Sequence, residues 1–357
     1  MIISRTPFRI SFFGGGTDYP IWYRDHGGAV LAATIDKYCY ITCRQLPPFF
    51  EHKSRLVYSK VEHVKSNNEI EHPAIRGALQ YMKMAEGLEI HHDGDLPART
   101  GLGSSSSFTV GLLNALYGLK GMRVKKQQLA NEAIHLEQVV LKENVGCQDQ
   151  VIAAYGGLNR INFSAQSDIQ VSPVPLSRER RRHFQDHLML FFTGISRFAS
   201  KVAKVQIEKT PERSRELSTM YSQVEEAQDI LQGSGDIELF GKLLHETWLL
   251  KRSLTDLVSN PTIDSIYEKA RQAGAIGGKL LGAGGGGFFL FFARPEVQPR
   301  IVEALKGCLH VPFSMETRAS EVIFYDPDEA YALLPQTAAS EAKPAGTDPH
   351  ILALEKK

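Results

Sequence analysis

Residues 97–107, Pro97-Ala98-Arg99-Thr100-Gly101-Leu102-Gly103-Ser104-Ser105-Ser106-Ser107, put two glycines and four serine hydroxyls directly before an amphipathic segment. Downstream, Phe108, Leu112, Ala115, Leu116 and Leu119 recur at i, i+4, i+7, i+8 and i+11, which is one face of an α-helix. The serines therefore stand at a helix N-terminus, where amide N–H groups and the positive end of the helix dipole favour an anion. Glycines let the backbone approach that anion with no Cβ in the way. The chemistry this implies is phosphate binding, and an ATP triphosphate would suit the site. A serine N-cap after a turn is the plain alternative for any single Gly-x-Gly-Ser. The ordinary nucleotide motifs do not fit: the Lys of Gly-x4-Gly-Lys-Ser/Thr is missing, and Ser106 stands where Gly-x-Gly-x-x-Gly needs its last glycine.

Two further glycine clusters flank this one. Phe8, Ile10 and Phe12 alternate with Arg9 and Ser11 in a strand pattern that runs into Gly14-Gly15-Gly16-Thr17-Asp18, either a site for polar groups or a hairpin turn with an incidental Asp. Gly282 to Gly287 satisfies Gly-x-Gly-x-x-Gly literally, but the aromatic run Phe288 to Phe292 follows it where a dinucleotide fingerprint requires a helix. His91 and His92 are neighbours on a strand and face opposite ways, which suits hydrogen-bonded or solvated rings better than metal ligands. The four cysteines include no Cys-x-x-Cys pair, so they read as reduced thiols.

The elements that must position these clusters alternate between strand and helix. Strand patterns cover 30–35, 38–44, 55–61, 88–92 and 188–192, and helical spacing covers 73–86, 125–142, 212–232, 236–257 and 263–273. In the helix over 125–142, Leu129, Ala133, Leu136 and Val140 form the buried stripe and Glu137 lies at its edge. At 357 residues the chain suits two domains. The polar stretch Ser164 to Ser177 and the charge run Arg178 to His183 place the boundary between 1–180 and 181–334, with 335–357 as a loosely held tail. A net charge of +1 gives no field for nucleic acid and points to a small-molecule partner. The start has no hydrophobic signal core, and the apolar run from Leu280 is glycine-filled and too short to span a bilayer, so no membrane association and a cytoplasmic location are expected.

Pro97-x3-Gly101-Leu102-Gly103-Ser104-Ser105 before a helix resembles the central motif of the GHMP kinases, which include galactokinases, homoserine kinases and mevalonate kinases. Thr6 to Tyr19 is similar to the family's first motif and the Gly282 run to its third, and Gly146-Cys147-Gln148-Asp149-Gln150 resembles the Gly-x-x-Asp-Gln signature of its sugar kinases. The resemblance implies an α/β (α+β) two-domain fold, a mixed-sheet N-terminal domain beside a ferredoxin-like C-terminal one, with ATP and substrate in the cleft. It also implies roles. Asp149 would be the catalytic carboxylate, with Arg9 beside it. Pro97, Gly101, Leu102, Gly103, Ser104, Ser105 and Ser106 would hold ATP, while Ser105 and Glu137 would hold Mg²⁺. Gly15, Gly16, Thr17, Asp18, Arg197, Gly284 and Gly285 would line the substrate. Gly15-Gly16 replaces the Glu-His of galactokinases, so galactose is disfavoured.

Within the family, the first motif, Thr193-Gly194-Ile195-Ser196-Arg197 and the third glycine run most resemble the branch that phosphorylates the anomeric hydroxyl of a heptose 7-phosphate for surface polysaccharide. A neutral-sugar kinase of fucokinase type and a catalytically silent sugar-binding protein remain open, as does a homodimer. A phosphosugar would need a second anion site, for which Arg197, Lys251 and Arg252 are the candidates.

Overall fold

The first alternating stretch forms a strand of twelve residues, β1 (Ile2–Phe13), followed by a short helix α1 (Pro20–His26) and an eighteen-residue strand β2 (Gly28–Gln45). The computed structural model describes residues 1–327 except 48, 86, 99, 167 and 196–198, so Arg197 and the tail lie outside the described residues. The two strand patterns at 30–35 and 38–44 are one strand, since β2 pairs antiparallel with β1 from Ile2↔Cys43 to Phe13↔Leu31 and absorbs the break in a register shift between Pro7 and Arg9. Instead of one strand over 55–61 there is a hairpin, β3 (Ser54–Val57) and β4 (Val61–Val64), closed by Tyr58 N–H donating to the Lys60 carbonyl at 2.9 Å. Next come α2 (Pro73–Tyr81), β5 (Leu88–Gly94), α3 (Ser104–Leu119), α4 (Lys126–His135), α5 (Gln148–Tyr155), β6 (Leu158–Phe163) and β7 (Ile169–Pro173).

The expected helix over 125–142 departs from its pattern. After His135 it widens into a π turn over Leu136–Val140, where Leu141 N–H donates to the Leu136 carbonyl at 2.9 Å. Such a turn inserts a residue into the helical repeat and resets which side chains face inward. Glu137 is thereby carried from the stripe's edge to full burial beside Leu136.

The rest of the chain is α6 (Arg178–Asp186), β8 (Leu188–Phe192), α7 (Ala199–Lys209), a 3₁₀ turn over Thr210–Arg213, α8 (Ser214–Gln232), α9 (Glu238–Leu254), α10 (Pro261–Gln272), β9 (Gly277–Leu280), β10 (Phe288–Phe292), α11 (Gln298–Ala304), β11 (Leu309–His310), β12 (Met315–Glu316) and β13 (Glu321–Tyr325). Strands β11-β8-β10-β9 form an antiparallel sheet of four. In chain order that is 4-1-3-2 with helices between the first and second and between the third and fourth strands, the ferredoxin-like arrangement. The other sheet has nine strands, ordered β13-β1-β2-β5-β3-β4 with β6 and β12 also on β2 and β7 on β6. It is mixed, because β3 and β5 run parallel. β12 and β13 thus return from the second half of the chain to the first sheet.

Phe12 packs edge-on to Phe184 of α6 at 5.5 Å and to Phe240 of α9 at 5.6 Å, and Phe240 reaches Phe292 of β10 at 5.8 Å. These buried rings weld the end of β1 to the second sheet, which fixes the first glycine cluster against α8 and α9. No helix among the described residues is long and apolar enough to cross a membrane.

Candidate active site

Arg9 projects from the middle of β1 and is almost fully buried. Its Nε and Nη2 donate to Oδ1 and Oδ2 of Asp149 at 2.7 and 2.6 Å, and its Nη1 donates to the Gly101 carbonyl at 2.7 Å. Its backbone N–H also donates to the Leu102 carbonyl at 3.1 Å. One side chain therefore ties the first turn of α5, which carries Asp149, to the loop that opens α3. Asp149 keeps a quarter of its side chain exposed, so the carboxylate is held and still reachable.

The loop is shaped by close approach. Gly103 is the N-cap of α3 with φ of 73°, and a Cβ there would lie 3.1 Å from Arg9 Cγ and 3.4 Å from Asp149 Oδ2. A Cβ on Gly101 would lie 2.5 Å from the Leu281 carbonyl oxygen, so the second and third glycine clusters touch backbone to backbone. No side chain caps α3, and its first intrahelical bond is Ser107 N–H to the Gly103 carbonyl at 2.9 Å. The amides of the first turn precede that bond and form the kind of terminus that binds phosphate. Pro97 closes the loop's near end by accepting from the Thr100 hydroxyl at 2.8 Å, and Leu102 is buried as its apolar anchor.

The serines divide by direction. Ser105 is exposed on the open side, whereas Ser106 points inward and donates to Glu137 Oε2 at 2.9 Å. Gln150 of α5 also donates to that oxygen. Glu137 Oε1 is buried with no hydrogen-bond partner, and burial pushes the Glu137 carboxyl up to about 7. A hard cation on Oε1 would supply the missing partner and favour the ionised form, so the residues present fit Mg²⁺. Among the described residues no cluster of three or more His, Cys, Asp or Glu could hold a metal by itself, so hydroxyls and phosphate oxygens would complete the shell. The serine hydroxyl that donates to Glu137 is that of Ser106; the expected partner, Ser105, makes no hydrogen bond to it.

Asp18 is a second buried carboxylate near Asp149. It accepts from the N–H of Gly16 at 3.0 Å and of Gln148 at 3.3 Å, and burial, with the Asp149 charge adding, raises its proton affinity. A Cβ on Gly146 would lie 1.9 Å from Asp18 Oδ2, so only glycine can precede Cys147 there. Thr17 is structural: its hydroxyl donates to the carbonyls of Gly14 and Ala29 at 2.8 and 2.9 Å. Gly15 faces Gln148 across 3.8 Å, and Gly16 faces Leu217 of α8 across 3.1 Å, both measured from a built Cβ.

The third cluster is a brace. Gly285 N–H donates to the Val258 carbonyl at 2.8 Å, and a Cβ on Gly284 would meet the Val258 backbone at 2.8 Å. Lys251 of α9, buried, donates to the carbonyls of Leu280 at 2.7 Å and of Gly282. Lys279 donates to the Phe12 carbonyl at 2.8 Å. Burial, then the neighbouring cations, depresses both lysines, Lys279 to about 7. Lys251 is consequently a clamp on the glycine loop and not a free phosphate ligand. Arg252 pairs with Asp264 at 3.0 Å and stacks on Trp248. Gln150, Lys279 and the inward role of Ser106 went unforeseen, since no spacing in the sequence distinguishes them from ordinary helix and strand residues.

Buried Glu137 and clamped Asp149 stand beside a helix terminus with no side-chain cap, an arrangement suited to phosphoryl transfer. The chain matches the GHMP kinases N terminal domain over residues 70–157 and the GHMP kinases C terminal domain over residues 223–310. It belongs to the GHMP kinases and is an ATP-dependent kinase of that family. It is 27% identical over 316 residues to the D-glycero-alpha-D-manno-heptose 7-phosphate kinase of Campylobacter jejuni, covering 85% of this chain and 93% of that one. It is 26% identical to the bifunctional fucokinase/GDP-fucose pyrophosphorylase of Arabidopsis thaliana over 81% of this chain and 29% of that longer one. In fold it resembles the crystal structure of a D-glycero-D-manno-heptose 1-phosphate kinase from Bacteroides thetaiotaomicron, with a TM-score of 0.73, 23% identity, and coverage of 91% and 99%.

Proposed function

We propose that this protein is a sugar kinase that uses ATP to phosphorylate the anomeric hydroxyl of D-glycero-D-manno-heptose 7-phosphate, giving the 1,7-bisphosphate for nucleotide-heptose synthesis in the cytoplasm. The observation that carries the substrate is the likeness to the Campylobacter jejuni heptose kinase along 93% of that enzyme's length. The Arg9–Asp149 clamp at the α3 terminus supports the chemistry.

Phosphoryl transfer passes through a loose transition state, so the chain's work is positioning and charge stabilisation. Asp149 accepts the proton of the sugar O1–H as that oxygen bonds to the γ-phosphorus. The bond to the bridging oxygen breaks, and ADP leaves with the electron pair. Arg9 holds the carboxylate in register by two hydrogen bonds and keeps further N–H groups for the transferring phosphoryl. Gly101 to Ser105 and the first amides of α3 hold the β- and γ-phosphates, and Asp18 with Gly15 and Gly16 orients sugar hydroxyls. Glu137, with Ser106 or Ser105, would hold Mg²⁺, which when bound neutralises charge on the phosphates.

The test is ADP release with heptose 7-phosphate, fucose, galactose, mannose and mevalonate, followed by phosphorus NMR of the product. Preference for the heptose phosphate with a new anomeric phosphate is expected. Faster turnover of fucose would replace this substrate with a neutral sugar, and no turnover of any sugar would leave a binding protein.

A further inference from the structure

The three residues of the first glycine cluster are glycine for different reasons. Gly14 and Gly16 have φ of 80° and 104°, and a Cβ on Gly14 would lie 1.9 Å from the Ala29 carbonyl oxygen. Gly15 escapes both constraints: its φ lies outside the left-handed region, and a Cβ built on it meets nothing nearer than 3.8 Å. The backbone there accepts a small side chain without strain. What that side chain would occupy is the space in front of two polar groups, because the atoms at 3.8 Å are Ser11 Oγ and Gln148 Nε2.

Both groups are unengaged, and both stand on the elements that carry the reaction centre. Ser11 Oγ is buried with no hydrogen-bond partner, and so is Gln148 Oε1. An orphaned polar atom of this kind is costly to keep unless something outside the chain brings it or its group a partner. Ser11 lies two residues beyond Arg9 on β1 and therefore on the same face as the guanidinium. Gln148 directly precedes Asp149 in the first turn of α5, and its backbone N–H donates to Asp18 Oδ2 at 3.3 Å. Neighbouring helix positions lie about 100° apart around the axis, so the amide borders the Asp149 carboxylate without taking its place. Gly15, Gln148 and Asp149 are each half-buried and keep an open side. The amide offers what a neutral hydroxyl needs: its carbonyl accepts, its NH₂ donates, and rotation about the last bond exchanges the two.

We infer that Gln148 binds the sugar hydroxyl next to the one that reacts, with Ser11 at the back of the slot, and that the missing side chain of Gly15 is the room this hydroxyl takes. The inference rests on the sugar-kinase function proposed above and adds to it a specificity-determining amide beside the acceptor carboxylate. The reacting hydroxyl goes to Asp149, and its neighbour pairs with the Gln148 amide. A side chain at position 15 closes the slot and leaves the ATP side of the site untouched.

The experiment measures kcat/KM for D-glycero-D-manno-heptose 7-phosphate and its 2-, 3- and 4-deoxy analogues in wild type, Gln148→Met and Gly15→Ala, with half-saturation by ATP and thermal melting of each protein. Should the ADP-release screen select another sugar, the analogues are those of that sugar. Wild type should lose about 10- to 100-fold on one analogue, because a site built to pair with a hydroxyl rejects the molecule that lacks it. Gln148→Met keeps the length of the side chain and removes both polar atoms. It should lose a similar factor on the full sugar and little more on that same analogue, so that the two losses do not add. Gly15→Ala should melt and bind ATP like wild type while KM for the sugar rises about 10-fold, and this variant decides if Gln148→Met melts early. Losses that add in full for every analogue, or a Gly15→Ala enzyme with the sugar KM of wild type, would overturn the role of Gln148 and leave the kinase function intact. A wild type that turns over no sugar would overturn both, and would be recognised as such before any variant is made.

Discussion

Arg9 and Asp149, 140 positions apart in the chain, meet in two parallel hydrogen bonds of 2.7 and 2.6 Å, and the third arm of the same guanidinium holds the Gly101 carbonyl. The carboxylate and the glycine loop before α3 are thereby set relative to each other by one rigid planar group. Asp149→Asn keeps the shape and removes the proton acceptor, so kcat should fall by at least about 10²-fold with ATP affinity within a few-fold. Turnover near that of wild type in a coupled ADP assay would remove Asp149 from the chemistry. Arg9→Lys should lose most of kcat as well, because an ammonium cannot make the fork.

Glu137 gives a prediction with a sign. Its folded carboxyl titrates at about 7, above the ordinary value of 4.5, because burial disfavours the charge. A raised folded value means stability that is fully present below about pH 4.5 and lost as pH rises through about 7. Glu137→Gln removes that loss, so it should be more stable than wild type at pH 8, by up to about 3 kcal/mol, and equal to it near pH 4.5. Urea titrations at the two pH values check this. An equal difference at both would mean that the carboxyl does not titrate in the fold.

The same group predicts a Mg²⁺ requirement that tightens with pH. Below pH 7 the cation must displace a proton from Glu137, so its half-saturating concentration should rise by up to about tenfold per pH unit lost. Glu137→Gln should need much more Mg²⁺ and lose this pH slope. Ser106→Ala and Ser105→Ala separate the two hydroxyls: the variant that raises the requirement names the ligand. An unchanged Mg²⁺ titration in all three would place the metal elsewhere.

Gly103→Ala should be harmful twice over. The substitution forces an L side chain into φ of 73°, at a cost of about 1–2 kcal/mol, and brings a methyl group to 3.1 Å from Arg9 Cγ. Chemical denaturation should show the first effect and kcat the second. A variant as active and as stable as wild type would mean that this loop is not fixed by the contact.

Lys279 carries the opposite sign to Glu137. Its ammonium is depressed to about 7 by burial and by Arg9, so the folded state gains stability as pH rises from about 7 toward the ordinary lysine value of 10.5. Lys279→Met should therefore help stability more at pH 6 than at pH 9, by on the order of a few kcal/mol, while loss of the bond to the Phe12 carbonyl lowers both values alike. Denaturant midpoints that shift equally at both pH values would argue against a titrating lysine.

The strands and helices that carry the three glycine clusters were legible because their apolar periods are strong: β1, α3, β8, α8 and β10 fall where the spacing puts them. The glycine turn and helix start over 97–107 were also legible, since such a turn needs no distant partner. Composition alone pointed to two domains and a small-molecule partner. The roles proposed for Asp149, Arg9 and Glu137 came from family likeness, because a single carboxylate in a turn has no periodic signature.

Tertiary structure decided what those residues touch. The π turn buried Glu137, and whether an extra residue enters a helix depends on packing around α4, which the sequence period hides. It also turned Ser106 rather than Ser105 toward that carboxylate and made Lys251 a clamp on the glycine loop. Each of these is a contact between segments far apart in the chain. Local spacing fixes which face a side chain occupies, and only the packing of elements against each other fixes what lies opposite that face.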